Sequence, residues 1–172
     1  MSTPLNSFPL NKRGNTDMAV PYVPTPRDIA IEMLKLANVR PGEVVVDPPG
    51  AGECGIITLA VTMFNAIGIG IEINPALVRS CIESFEKLGL RGGRAYVVWG
   101  GDLFDFDYSI ADVVTLYLGS DVNEKLRPKL NRELRRGSRV VSHDFEVPGW
   151  RPIKSIVVDG PFRAHRIYLY TI

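Results

Sequence analysis

The sequence predicts an α/β fold built on one seven-stranded sheet, five strands parallel and the last two an antiparallel hairpin, and three observations carry that expectation. The first is the stretch from Val44 to Asn74, VVVDPPGAGECGIITLAVTMFNAIGIGIEIN. An apolar β-branched run stops at Asp47, a glycine-rich turn follows, then a helix-length apolar segment, then a second strand that ends at Glu72. The second is that strand and helix patterns keep alternating for three more strands. The third is the C-terminal part, where Lys154 to Val158, a turn at Asp159-Gly160-Pro161, and Arg166 to Ile172 follow one another with no helix between them. That order makes a hairpin, whereas a dinucleotide-binding domain continues with a sixth parallel strand.

Composition bounds the rest. A chain of 172 residues, 45% hydrophobic and 23% charged, has the size of one domain that buries roughly two-thirds of its unfolded surface. That domain is expected to span residues 20–172, preceded by an arm over 1–19 in which Pro4, Pro9 and Gly14 interrupt polar residues without an apolar period. Twenty basic and nineteen acidic side chains leave a formal charge of +1, too little to draw nucleic acid in from a distance. Cys54 and Cys81 form neither a C-x-x-C pair nor a metal spacing, which fits a reducing cytoplasm. No apolar run has the length of a membrane span, and the first residues lack the order of a secretory signal. The chain contains no glutamine, a bias shared with heat-adapted proteins.

In chain order, Pro21-Tyr22-Val23-Pro24-Thr25-Pro26 holds the backbone extended until Thr25 caps a helix with Pro26 at its first position. Ile29, Met33, Leu34 and Ala37 give that helix its apolar stripe, and Pro41-Gly42 ends it. An extended segment without internal hydrogen bonds must lie over something, either as a linker or across the mouth of a pocket, and Tyr22 is the ring it would carry there. Gly50, Gly52 and Gly55 then stand in G-x-G-x-x-G spacing between a strand and a helix, and Glu72 follows about 20 residues on, where a carboxylate accepts ribose hydroxyls. The unit is expected to bind a nucleoside-containing cofactor. Asn74-Pro75 opens a helix to about Leu88, Tyr96 to Trp99 is a short strand, and Gly101-Asp102-Leu103-Phe104 is a turn with an acid. Ala111 to Leu118 reads as a buried central strand, Asn123 to Leu134 as a helix with Leu126, Leu130 and Leu134 on one face, and Arg139 to Val147 as the fifth strand.

At this point a resemblance becomes specific. PYVPTP at 21–26, Asp47 with its glycine turn, GIEIN at 70–74, the turn at Asp102, VNEKLRPKL at 122–130 and GSRVVSHDFEVPGW at 137–150 together resemble the small archaeal protein lysine methyltransferases and their FAM173 relatives. The likeness runs from about Pro21 to Ile172, and the strand order expected above resembles their Rossmann-like methyltransferase sheet. It implies S-adenosyl-L-methionine as cofactor, protein substrates presenting exposed lysines, no requirement for nucleic acid or membrane, and a monomer. It also implies that Tyr22, Thr25, Asp47, Gly50, Gly52, Glu72, Ile73, Asp102 and Leu103 hold the cofactor. The family's first loop reads D-x-G-x-G-x-G, whereas Asp47-Pro48-Pro49-Gly50-Ala51-Gly52 sets the glycines one place later behind two prolines.

Methyl transfer from a sulfonium is an in-line displacement, so the acceptor amine must be aligned and neutral. A free lysine titrates near 10.4, and removing its proton at pH 7 costs about 4 to 5 kcal/mol without help. Candidates for that help at the fourth-strand exit are Tyr117, Asp121 and Asn123, with Tyr117 readable also as a core aromatic and Asp121 as a helix cap. Other signals carry less. Asp47-Pro48-Pro49 lacks the aromatic and the strand-four position of the D-P-P motif of base methyltransferases. Ser142-His143-Asp144 is no triad if successive strand residues alternate faces, and His143 and His165, far apart in sequence, give no metal site. The basic run Lys125, Arg127, Lys129, Arg132, Arg135, Arg136 and Arg139, broken by Glu124 and Glu133, is a solvated helix face or a docking surface for an acidic partner. A methyltransferase acting on RNA or a small molecule is the alternative reading.

Overall fold

The computed structural model describes residues 23–48, 51–90, 93–100 and 102–172. The arm at 1–19, Tyr22 and Gly50 lie outside the described residues. The sheet has seven strands: β1 (Val44–Asp47), β2 (Ile67–Glu72), β3 (Ala95–Trp99), β4 (Val113–Leu116), β5 (Arg139–His143), β6 (Lys154–Asp159) and β7 (Ala164–Thr171). Their spatial order is β3-β2-β1-β4-β5-β7-β6, with β1 to β5 parallel and β7 antiparallel to both of its neighbours. The expected fold class is the observed one.

Side-chain alternation on the central strands builds two apolar layers. Val45, Val113, Val141, Ile167 and Leu169 face helices α1 (Arg27–Leu36), α2 (Ala51–Phe64) and α3 (Pro75–Lys87). Val46, Val114, Leu116, Val140 and Tyr170 face α4 (Ser120–Glu133) and the short 3-10 turn Tyr108–Ile110. Helix α2 lies very close to β2: a Cβ at Gly68 would stand 2.5 Å from Ile57 Cγ2, so only glycine permits this approach. At the lower end, Arg139 donates to Glu43 Oε1 (3.0 Å) and Oε2 (2.6 Å) and to Ala37 O (2.9 Å), fixing the end of α1 to the sheet.

Several boundaries differ from expectation. Helix α1 begins at Arg27 with Pro26 before it and no side-chain cap, so Thr25 is not the capping residue. Helix α2 begins at Ala51, which places Gly52 and Gly55 inside the helix rather than in the turn. Helix α4 begins at Ser120 instead of Asn123, with Gly119 ahead of it. Strand β5 stops at His143 because Asp144 turns out of the strand at φ +59°, four residues before the expected end. Cys54 and Cys81, expected to be reduced, are joined in a disulfide between α2 and α3, with Cα atoms 5.3 Å apart. Both sit in the apolar layer that holds these helices together. Among the described residues no helix is long and apolar enough to cross a membrane.

Candidate active site

Parallel strands present their carboxyl ends to one edge of the sheet, and loops leave it there without crossing the core. Asp47 ends β1, Glu72 ends β2, Asp102 follows β3, Tyr117 follows β4 and His143 ends β5, so five of the chain's polar candidates share that edge. Asp47, Thr115, Tyr117 and His143 also have the same parity as Val45, Val113 and Val141, which puts them on the α1 to α3 face.

The β1–β2 side is acidic. Asp47 Oδ1 accepts a 2.6 Å hydrogen bond from Thr115 Oγ1. Burial pushes the Asp47 carboxyl up to about 7; the Thr115 bond opposes the shift and the charge of Glu72 adds to it. Glu72 is 5% exposed, and its Oε1 accepts from the backbone N–H groups of Ile73 and Asn74, both at 2.9 Å. Those two bonds fix the carboxylate plane. Beside it Ile73 is 64% exposed, an apolar cover at a loop where none is needed for folding. The Asp102 turn is closed by its own Oδ1 accepting from Phe104 N (2.9 Å) and by buried Tyr108, whose OH donates to Leu103 O (2.7 Å). Gly55 is exposed on α2, and a Cβ there would meet no atom of the described residues within 4 Å. Asp47, Glu72, Ile73, Asp102 and Leu103 are thus brought to one edge, and Thr25 lies half-exposed in the segment leading into α1.

The β4–β5 side is aromatic and imidazole-rich. The half-buried Tyr117 ring lies 3.9 Å from the His143 ring, centroid to centroid, and its OH is 3.5 Å from Arg163 Nη2. Asp121 is exposed in the first turn of α4 and folds back against Gly119. Asn123 is fully buried, and its Nδ2 donates to Glu146 O (3.1 Å), bracing α4 against the loop after β5. The two residues therefore do not stand with Tyr117 as one constellation.

What sequence reasoning missed is here. His143 and His165, expected to be unrelated, are in contact: Nε2 of one is 2.8 Å from Nδ1 of the other. Antiparallel pairing of β5 with β7 closes a gap of 22 residues. Asp144, released from face alternation by its positive φ, brings Oδ2 to 3.3 Å from His143 Nε2 and receives Arg163 Nη2 at 2.5 Å. Burial pushes His143 down to about 4, so its ring is neutral. Against the cost of burial, Arg163 and the Arg166 N–H hold the Asp144 carboxyl below the usual range. A signal existed for Thr115, a lone polar residue inside the apolar run ADVVTLYL; the histidine pair had none without the strand register.

A Rossmann-like sheet closed by a β6–β7 hairpin, with a half-buried acid at the end of β1 and a backbone-fixed acid at the end of β2, defines an S-adenosylmethionine-dependent methyltransferase. Residues 49–154 match the ANTKMT methyltransferase domain, and the chain belongs to that family. It is 44% identical over 154 residues to a protein-lysine N-methyltransferase of Saccharolobus islandicus, covering 89% of this chain and 94% of the relative. It is 29% identical to the mouse adenine nucleotide translocase lysine N-methyltransferase, covering 90% of this chain and 64% of that protein. Among solved structures, an RNA methyltransferase from Salinibacter ruber in complex with S-adenosyl-L-homocysteine superposes with a TM-score of 0.80 at 39% identity, covering 87% of this chain and 94% of that one.

Proposed function

We propose that residues 20–172 form a methyltransferase domain that transfers the methyl group of S-adenosylmethionine to lysine side-chain amines in proteins, over a broad range of sequences. The observation that carries this reading is the 44% identity, over nearly the whole of both chains, to a protein-lysine N-methyltransferase. Glu72 would take the ribose, Asp47 and the start of α2 the methionine part, and Ile73, Asp102 and Leu103 the adenine, with Tyr22 and Thr25 across the mouth. Tyr117 would receive the amine beside the sulfonium, where desolvation next to a cation favours the neutral form that reacts. Among the described residues the Gly119–Asn123 segment, exposed Phe145 and Arg163 at the β6–β7 tip lie around Tyr117, an open surround that supports a broad range. The reading includes a cytoplasmic monomer. A buried disulfide is compatible with that compartment in heat-adapted organisms.

Transfer to RNA is the second reading, favoured by the likeness to the Salinibacter ruber RNA methyltransferase. The basic run on and after α4 offers it little. Arg127 donates to Pro148 O, Lys129 pairs with Glu133 (2.6 Å), Arg135 with Asp112 (2.8 Å) and Arg139 with Glu43, so these charges are engaged within the protein. The deciding experiment incubates the protein with methyl-labelled cofactor and total cell extract. Label in protein, mapped by mass spectrometry to lysines without a shared flanking sequence, is expected. Label in RNA overturns the lysine reading, and a single strict motif overturns the broad range.

A further inference from the structure

We propose that His143, Asp144 and His165 form a binding site for a divalent first-row transition cation of the zinc type, held by His143 Nε2, His165 Nδ1 and one carboxylate oxygen of Asp144. Neither the family's reaction nor the cofactor half needs such a site, and the proposal does not depend on which acceptor is methylated.

The geometry is close to that of a formed site. A tetrahedral ion with bonds of about 2.0 to 2.2 Å keeps its donors about 3.3 to 3.6 Å apart. Here the three donor separations are 2.8 Å (His143 Nε2 to His165 Nδ1), 3.3 Å (His143 Nε2 to Asp144 Oδ2) and 3.9 Å (His165 Nδ1 to Asp144 Oδ2). One edge already fits, one must open by about half an ångström and one must close by as much, which small side-chain rotations supply. The backbone under them is fixed. His143 is fully buried at the end of β5, Asp144 Oδ1 accepts from Arg166 N (3.1 Å), and Asp144 N donates to Arg166 O (2.7 Å). The His165 ring lies against Gly160, where a Cβ would come within 2.8 Å of Nε2, so the hairpin glycine keeps the ring turned with Nδ1 toward His143.

Chemistry narrows the ion. Two imidazole nitrogens and one carboxylate are a borderline donor set that suits Zn2+, Co2+ or Ni2+ and is poor for Ca2+ or Mg2+, which want oxygen. In the ion-free protein the two facing nitrogens, His143 Nε2 and His165 Nδ1, share a single hydrogen bond, and a cation would take both lone pairs as that bond opens. In the metal-free protein the positive charge beside Asp144 is the Arg163 guanidinium, on a side chain 50% exposed and able to swing into water. Arg163 is therefore the internal competitor of the cation.

The test uses the untagged full chain, stripped with a chelator, titrated with Zn2+ by calorimetry and with Co2+ by visible absorption. One site per chain is expected, with Co2+ bands of tetrahedral intensity. His165→Asn and Asp144→Asn should each weaken Zn2+ binding at least tenfold. Arg163→Ala should tighten it severalfold, an outcome that loss of folding cannot produce. Absence of binding, or affinity unmoved by His165→Asn in a protein whose circular dichroism is native, would overturn the site. So would Zn2+ binding that Arg163→Ala leaves unchanged or weakens.

Discussion

The two halves of the functional edge are built differently. In the β1–β3 half Glu72 rests on two backbone amides and Asp102 on its own turn, with Asp47 held by Thr115 and with α2 and α3 joined by the Cys54–Cys81 disulfide. In the β4–β7 half side chains lean mainly on one another: Tyr117 on His143, His143 on His165, and Asp144 on Arg163 as well as on the Arg166 amide. A ligand common to every turnover suits backbone-fixed partners, because little freedom is lost on binding. Acceptors that change from one substrate to the next suit a surface made of side chains that can shift.

The contrast can be broken most strongly at Asp47. Its carboxyl titrates near 7 when folded, against 3.8 for the ordinary group. As pH rises the unfolded chain loses that proton first, so the stability is fully present below about pH 4 and declines through pH 7, by on the order of 4 kcal/mol in the cofactor-free protein. Urea unfolding at pH 5 and pH 8 should show about 3 kcal/mol of this decline, the rest lying below pH 5, and Asp47→Asn should flatten it. Equal wild-type stability at both pH values would mean that the Asp47 carboxyl is open to water.

Next in size is the disulfide. A bridge across 27 positions contributes about 3.5 kcal/mol in the chain-entropy account. Reductant should lower the midpoint of thermal unfolding by roughly 7 to 14 °C for a domain of this size. Cofactor affinity should fall with it if the two helices set the loop positions, whereas the metal affinity of the other half should not. Glu72→Ala comes third, weakening S-adenosylhomocysteine binding by about 1.5 to 3 kcal/mol in calorimetry. Unchanged affinity would remove Glu72 from the cofactor site. The smallest effect is at Tyr117→Phe: its OH makes only a 3.5 Å contact with Arg163, so stability should move by less than about 0.5 kcal/mol and cofactor affinity not at all, while methyl transfer falls. A parallel loss of cofactor affinity would merge the two halves into one.

Local patterns made the β1–β3 half readable. VVVD and GIGIE end in acids because each strand ends there, and Asn74-Pro75 caps α3 as its residue types require, with Asn74 Oδ1 accepting from Ala76 N at 3.0 Å. The hairpin after β5 set the topology. The other half depends on contacts that no local pattern encodes. His143 meets His165 only through the β5–β7 register, Asp144 reaches the pair only through a left-handed backbone, and Cys54 meets Cys81 only because α2 and α3 lie side by side. Asn123 illustrates a further gap. Its place after the fourth strand suggests chemistry, but beginning α4 at Ser120 turns the side chain inward against Glu146 O.

The insertion of β7 between β5 and β6 also sets the order in which the molecule can be completed during translation. β6 pairs with β7 alone, so it has nothing to join when it emerges, and the Arg139–His143 edge stays bare until Thr171 has been made. At about 5 to 20 residues per second that interval lasts roughly 1 to 6 s. During it an apolar, unpaired strand is open to any neighbouring nascent chain. Synthesis rate and chaperone access while β6 and β7 emerge should therefore affect the yield of folded protein.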